Sequence, residues 1–301
     1  MSKLHWLALS MVAGVGGTTA RRLAERFGGV EAVFSAEDDE LLSVARVTPA
    51  IVEELRSLDF DIVERQMDSL AAAGVSLLAI DEDGYPANLL SAADAPALLY
   101  AVGDVLPEDE AAVAVVGTRE PSAPSVDAAR FLAEGLGERG ITVISGLARG
   151  IDSAAHEGAL EASSGRTIAV LGSGLNRIHP RENALLAERI AERGAVLSEL
   201  APHVPPQGPQ LMARDRIISG LSLAVIVVEA GEKSGSVDTA AKARRQGRSV
   251  YALPGSPGTD ALLRASAGLC EATPGFLDEL AASLSAPPAP DAPTQLSLFD
   301  S

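Results

Sequence analysis

From residue 111 onward, short runs that are almost wholly apolar alternate with longer runs that are apolar at every third or fourth position. The continuous runs are AAVAVVG (111–117), ITVIS (141–145), TIAVLG (167–172), AVLSEL (195–200), LAVIVVEA (223–230) and SVYALPG (249–255). Between most of them lie VDAARFLAEGLGERG, DSAAHEGALEASS, NALLAERIAERG and VDTAAKARRQG, which have helical spacing. A strand without a polar side is buried on both faces, and such strands joined by helices make a parallel sheet covered on both sides. The pattern therefore predicts an α/β protein with a Rossmann-like, doubly wound, mostly parallel sheet. Two earlier runs, GVSLLAI (74–80) and PALLYAVG (96–103), also read as strands, with DEDGYPANLLSAADAP as a loop between them.

Before residue 70 the pattern is that of short helices. LALSMVAGVGGTTARRLAERFGG has the form helix, Gly14-Val15-Gly16, helix. Glycines in such a turn leave amides free at a helix start, as in the helix-hairpin-helix that grips DNA phosphates. A small SAM-like bundle in which GVG is only a turn fits equally well, and LLSVARVTPAIVEEL (41–55) looks like a second copy without the glycines. The expected division is a helical, helix-hairpin-helix-like domain over 1–70, a Rossmann-like domain over 71–275, and a helix end, Pro/Ala linker and tail over 276–301. SAPPAPDAPTQ is stiff and extended, and it ends in QLSLFDS.

Composition narrows the class. Of the 301 residues, 47% are hydrophobic, enough for a substantial core, yet no apolar run approaches the roughly 20 residues of a membrane span. The N-terminus is a poor signal peptide, because a helix pattern follows directly. A single cysteine, Cys270, excludes an internal disulfide and a cysteine metal cluster. The expected compartment is the cytoplasm, with no metal and no cofactor.

The net charge of −17 argues at first against nucleic acid. Its distribution says otherwise: residues 31–120 hold 4 Arg against 20 Asp and Glu, whereas 141–220 hold 8 Arg against 8 acids. The middle of the chain is free to present a local basic groove.

In an open parallel sheet, ligands bind beyond the carboxyl ends of the strands. Several strands here end in glycine, hydroxyl and arginine: Gly117, Thr118, Arg119 and Ser122; then Ser145, Gly146 and Arg149; then Gly172, Gly174, Asn176, Arg177, Arg181 and Asn183; then Ser234 and Gly235. Glycine lets a ligand approach the backbone, and helix N-termini favour anions. A row of such loops, with Arg214 and Arg216, suits the successive phosphates of a polyanion. The dinucleotide fingerprint GxGxxG and the P-loop are both absent. Asp152 and His156 stand one helical turn apart, but an N-terminal helix acid and a buried structural histidine account for them as well. With only Phe131 and Tyr251 as aromatics in 111–270, grip by base stacking is not expected.

These loops together resemble the DNA-processing protein A family (DprA/Smf) over roughly residues 5–270. The resemblance is carried by VVGTREPS, VISGLARGIDSAAHEGAL, TIAVLGSGLN, HPRENALLAERI, RDRIISGLS and VIVVEAGEKSGSVDTAAKARRQGRSVYALPG. It implies a non-enzymatic protein that binds and protects single-stranded DNA during natural transformation, forms a homodimer and loads the RecA recombinase. It also implies that Arg119 is the main phosphate contact, that Ser145 and Gly146 line its pocket, and that the 172–183 loop supplies a second basic contact. The family's usual lysine there is replaced by Asn176 or Arg177. The family's Phe-Pro-x-Arg-Asn-Arg reads Leu211-Met212-Ala213-Arg214-Asp215-Arg216, which puts an acid near the proposed phosphates. Ser122 opens SAPS in place of a common Tyr-Gly, and His179 stands where Tyr is usual.

The tail residues Gln295, Leu296, Leu298 and Phe299 resemble the peptide with which bacterial replication proteins dock on the sliding clamp. Two other functions stay open. One is a phosphoribohydrolase of the lysine-decarboxylase-like type, whose PGGxGTxxE motif this chain lacks. The other is a small-nucleotide sensor using a single cradle.

Overall fold

The structure is a computed structural model and describes residues 2–285. Helices α1 (Ser2–Met11), α2 (Gly17–Phe27), α3 (Val30–Val33), α4 (Asp38–Leu42), α5 (Pro49–Ser57) and α6 (Phe60–Ala72) precede the first strand. Local chemistry sets their ends. Thr48 accepts the Ile51 amide just ahead of Pro49, and Asp59 accepts the Asp61 amide. Gly28 closes α2 in the left-handed region at φ 77°. The apolar stripes of these helices, Trp6, Leu23, Val33, Ile51 and Val63 among them, share one core with Leu77, Tyr100 and Val196 of the sheet.

The α/β part runs β1 (Ser76–Ala79), α7 (Ala87–Leu90), β2 (Leu98–Gly103), β3 (Ala112–Val116), α8 (Ala123–Gly137), β4 (Thr142–Ser145), α9 (Ile151–Glu161), β5 (Thr167–Leu171), α10 (Ala184–Arg193), β6 (Gly194–Ser198), α11 (Gly208–Leu221), β7 (Ala224–Val227), α12 (Gly235–Arg245), β8 (Ser249–Ala252), α13 (Pro257–Arg264), β9 (Gly268–Leu269) and α14 (Pro274–Ser285). The strands form a nine-stranded sheet in the order β1-β2-β6-β5-β4-β3-β7-β8-β9. From β6 to β9 every pairing is parallel. β2 runs antiparallel to both β1 and β6. The doubly wound, mostly parallel sheet that the hydrophobic pattern predicts is present.

Alternation along each strand separates two cores. Val113, Val115, Val143 and Ile226 pack under α8, α9 and α14. Ala114, Val116, Ile144 and Val227 pack under α11, α12 and α13. α14 lies on α8, where Gly135 leaves room for Leu277, and Phe276 meets Tyr251 edge-on at 5.5 Å. Four elements are not legible in the pattern, α13 with its Pro-Gly start among them. β9 has only two residues, α7 is a single turn inside a presumed loop, and the polar, proline-led start of α11 masks its helical period.

One buried charge ties the amino ends of the strands together. Asp109, 6% exposed, accepts from the Thr142 hydroxyl at 2.6 Å, from Arg166 through Nε and Nη2 at 2.8 Å each, and from the Leu106 amide at 2.8 Å. Thr142 starts β4 and Arg166 directly precedes β5, so a single carboxylate gathers both strand starts. Asp109→Ala leaves a hydroxyl, an amide and a guanidinium without their acceptor and is expected to lower the unfolding free energy by about 3 kcal/mol. Urea denaturation measures it, and a loss below about 1 kcal/mol would contradict this account.

Candidate nucleic-acid interface

Chain order reverses at β3. Its carboxyl end leads through α8 to β4 on one side, while β7, on its other side, leads through α12 to β8. The two loops diverge and leave a crevice, the place where open α/β sheets bind ligands. A cleft of about 870 Å³ opens there. It is bounded by 117–120 after β3, by Leu211, Met212, Arg214 and Asp215 of α11, and by 232–238 after β7.

The 117–120 turn is fastened from both sides. The Thr118 amide donates to the Glu229 carbonyl at 2.8 Å, and the Thr118 carbonyl accepts from the Ile151 amide at 3.2 Å. Gly117 lies so close to Ile151 that a β-carbon would collide with it. This fixed turn holds out Arg119, which is exposed and makes no hydrogen bond or ion pair among the described residues. Across the cleft, Lys233 is also exposed and also without a partner among the described residues. It directly precedes Ser234 and Gly235, which open α12. Lys233 escaped the sequence reading although GEKSG places a lysine inside the loop that reading selected.

The structure brings Gly117, Thr118, Arg119, Arg214, Ser234 and Gly235 to one cleft. The remaining sequence candidates serve other purposes. Ser122 turns away to Glu229, whose carboxylate accepts both its amide and its hydroxyl at 2.9 Å. Burial raises the pKa of that carboxyl, but the bonds from Ser125 and Ser122 outweigh it and hold the group below its ordinary value. Ser145 is wholly buried and donates to the Val115 carbonyl at 2.7 Å, so it does not line the pocket. Gly146 is bare for the sake of Arg214, whose guanidinium occupies the space of a β-carbon. Gly172 and Gly174 are small because α11 and the 201–202 backbone pass against them. Asn183 bonds the Leu147 carbonyl and the Ser153 hydroxyl, both at 2.9 Å.

The arginines divide as sharply. Arg149 is held in a two-pronged ion pair by Glu182, with Nη2 at 2.7 Å from Oε2. Arg177 donates through Nε to the His203 carbonyl at 3.2 Å, and the backbone N–H of Asn176 donates to the Pro202 carbonyl at 2.9 Å, leaving its side chain exposed. Arg181 is exposed and without a partner among the described residues. Arg216 faces the helical unit, bound to Glu199 by two bonds of 2.8 Å and to the Asp94 carbonyl at 3.0 Å. Arg214, 7% exposed, donates to the carbonyls of Gly146 at 2.6 Å and Val170 at 2.5 Å, and through Nε to Asp215 at 3.1 Å. Arg214 and Arg216 are therefore internal struts, because burial and paired carbonyls and carboxylates consume their donors.

The floor of the cleft is acidic. Asp152, Asp215 and Asp238 line it, with Glu120 and Glu232 also in its wall. Burial pushes the Asp215 carboxyl up to about 6 against the pull of Arg214 and Lys242, and burial also raises Asp152. Asp152 does not pair with His156. The imidazole is fully buried, bonds Thr167 Oγ1 through Nδ1 at 2.7 Å, and is driven down to about 3 by burial and then by Arg214.

Two of the protein's own acids stand beside the hairpin of the helical unit. Glu54 accepts the Ala13 amide at 2.9 Å, and the Glu199 carboxylate lies against Gly17 at the start of α2.

A doubly wound sheet with a switch-point cleft, two unpaired cations on its rim, defines a Rossmann-like protein. A sequence profile described as DNA recombination-mediator protein A matches residues 76–280. Protein Smf of Escherichia coli (strain K12) is 39% identical over 259 residues, covering 85% of this chain and 68% of that protein. The DNA processing protein DprA of Bacillus subtilis (strain 168) is 43% identical over 184 residues, covering 61% of this chain and 62% of its own length. The chain spans about two thirds of the length of the curated relatives it matches. The X-ray structure of DprA from Streptococcus pneumoniae superposes with a TM-score of 0.79 at 31% identity, covering 92% of this chain and 96% of that one. A Helicobacter pylori structure, described as giving insight into the unique single-stranded DNA binding mode of DNA processing protein A, superposes at 0.63 and 31% identity, covering 69% of this chain and 96% of that one. The chain belongs to the DNA recombination-mediator protein A family, as the sequence resemblance implies.

Strut and rim should separate in stability measurements. Arg214→Ala leaves two carbonyls and a carboxylate without their donor and is expected to cost about 3 kcal/mol of unfolding free energy. Arg119→Ala and Lys233→Ala are expected to stay within about 0.5 kcal/mol of the parent. The folded value of Asp215, about 6, lies above its ordinary 3.8, so the folded state keeps a proton that the unfolded chain has released. Stability from this group falls as pH rises through that window and is lost above it. Asp215→Asn is therefore expected to raise the melting temperature at pH 7.5, by the equivalent of roughly 2 kcal/mol, with the gain closing towards pH 4. Melting curves at both pH values check the sign.

Proposed function

We propose that this chain is a non-catalytic single-stranded DNA-binding protein of natural transformation and recombination, which protects the incoming strand and loads RecA on it. The observation that carries the reading is the pair of unpartnered cations, Arg119 and Lys233, on the two loops that bound the switch-point cleft. Cations without a carboxylate partner are available to phosphate, and the start of α12 beside Lys233 adds amide donors. The rim continues from the Arg119 turn past Gly150 to the Arg149–Glu182 pair and Arg181, which favours a strand over a mononucleotide. The related structures, one of a DNA processing protein and one described as showing a single-stranded DNA binding mode, support the same ligand.

Few of the free cations line the cleft, so its electrostatic grip is modest. With two or three phosphates neutralised, affinity should fall with salt at a log–log slope of about −2. Fluorescence anisotropy with labelled oligonucleotides is expected to show preference for single over double strands and affinity that grows with length. Arg119→Ala and Lys233→Ala should each lose about tenfold. Affinity independent of length would instead support the mononucleotide reading.

The loop EAGEKSGSVDTA, which lacks the second glycine and the glutamate of PGGxGTxxE, favours a binder over the phosphoribohydrolase alternative. Release of free base from nucleotides, if observed and abolished by Asp152→Asn, would reverse this. A homodimer and a cytoplasmic setting complete the proposal; no helix among the described residues is long and apolar enough to cross a membrane. The tail residues Gln295, Leu296, Leu298 and Phe299 lie outside the described residues, and their docking on the sliding clamp rests on the sequence alone. Titration of the tail peptide against purified clamp should show binding that is lost when Leu298 and Phe299 are changed to Ala.

A further inference from the structure

Asp215 is an unexpected residue in a cleft meant for anions. Its side chain is nine-tenths buried in the wall of the cleft, between α11 and the start of α12. Only one of its oxygens is used: Oδ1 accepts from Arg214 Nε at 3.1 Å. Oδ2 accepts from no group among the described residues and lies on the side of Gly235, at the mouth of α12. Oδ2 is not sealed inside the protein: it opens on the cleft, so a donor arriving there can replace its water. The phosphate cations are elsewhere on the rim, and Leu211, Met212 and Ile218 beside Asp215 give the cleft an apolar wall.

Resting on the strand-binding reading above, we propose that Asp215 Oδ2 is a nucleobase-edge acceptor: with phosphates on Arg119 and Lys233, a base turned into the cleft presents its N–H groups to this oxygen. That makes Asp215 a specificity-determining residue. A carboxylate takes hydrogen bonds from the amino groups of cytosine, adenine and guanine, and suits adjacent donors best. Thymine offers a single N–H flanked by two carbonyl oxygens, which the carboxylate repels. The site thus discriminates against thymine without any aromatic stacking platform.

The discrimination depends on the ionised state. The groups facing Asp215 are Arg214 on its own helix, Lys242 and Asp238 on α12, Asp152 on α9, Arg119 and Glu120 after β3, and Glu232 and Lys233 after β7. His156 on α9 is neutral throughout the working range. Arg214 and Lys242 favour the carboxylate, while burial and the neighbouring acids favour the proton, leaving the balance near pH 6. Once protonated, Asp215 carries an O–H that a thymine carbonyl accepts, so the discrimination fades as pH falls.

The test is a competition titration of the full chain with oligo(dC), oligo(dA) and oligo(dT) of equal length, at pH 7.5 and 5.5, with wild type and Asp215→Asn. The expected result at pH 7.5 is that wild type binds oligo(dC) and oligo(dA) at least about fivefold more tightly than oligo(dT). The ratio should shrink towards one at pH 5.5 and be near one in Asp215→Asn at both pH values, because an amide presents both a donor and an acceptor. Equal binding of all three by wild type at pH 7.5, or a preference that persists in Asp215→Asn, overturns the inference and leaves strand binding standing. Failure to bind any oligonucleotide at either pH overturns the strand-binding reading itself. The wild-type pH dependence needs no variant, so a folding defect in Asp215→Asn would not shelter the idea.

Discussion

Parallel strands end in carbonyls that point past the last hydrogen bond of the sheet, and those of β4 and β5 end inside the protein. A buried carbonyl without a donor is expensive, and this fold answers with one guanidinium. Arg214 reaches from α11 to the carbonyls of Gly146 and Val170, with Asp215 holding its Nε. Much at the rim follows from that single side chain. Residue 146 has to be glycine because the guanidinium fills its β-carbon space. α11 has to cross where it does, and in crossing it forms one wall of the cleft. The ion pair also places an acid in that wall, so the interaction that orders the strand ends sets the electrostatic character of the site as well.

That character is not the uniformly basic groove a polyanion would seem to need. Five carboxyl groups and three cations line the cleft. On the proposed reading, what makes it usable by phosphate is the pairing pattern. Arg214 is spent on Asp215 and Lys242 on Asp238, and burial moderates the charge of Asp152 and Asp215. Arg119 and Lys233 are left unpaired and exposed on the outside. A chain with a net charge of −17 can hold an anion in this way, because a phosphate at the rim responds chiefly to groups within a Debye length. The larger acidic excess belongs to 31–120, much of it on the helical unit, away from the β3–β7 crevice.

The sheet was legible because fully buried parallel strands have a distinctive composition. Val113, Val115, Val225 and Val227 leave little other reading. Strand-end glycines and hydroxyls marked the right edge, yet sequence alone could not tell a ligand cradle from a packing contact. Gly117 and Gly146 look the same in the sequence, and both are bare because another side chain presses on them. Nor does sequence reveal pairing: Arg119, Arg149 and Arg216 are equivalent as letters, but Glu182 claims the second and Glu199 the third. Lys233 in GEKSG is likewise indistinguishable by letter from Lys242, which Asp238 claims.

The helix-hairpin turn shows the same logic working against a motif. Gly14, at φ 84°, allows the tight turn that exposes amides in DNA-gripping hairpins. Here Glu54 accepts the Ala13 amide, and Glu199 sits against Gly17 while its two oxygens bind Arg216 of α11. A tethered carboxylate competes with a free phosphate at an effective concentration the phosphate cannot match. The turn is thus used as a joint: it docks the helical unit on the sheet through the same α11 that braces the cleft. One turn amide, that of Ala13, is thereby taken by an internal acid, while the start of α2 carries no side-chain cap.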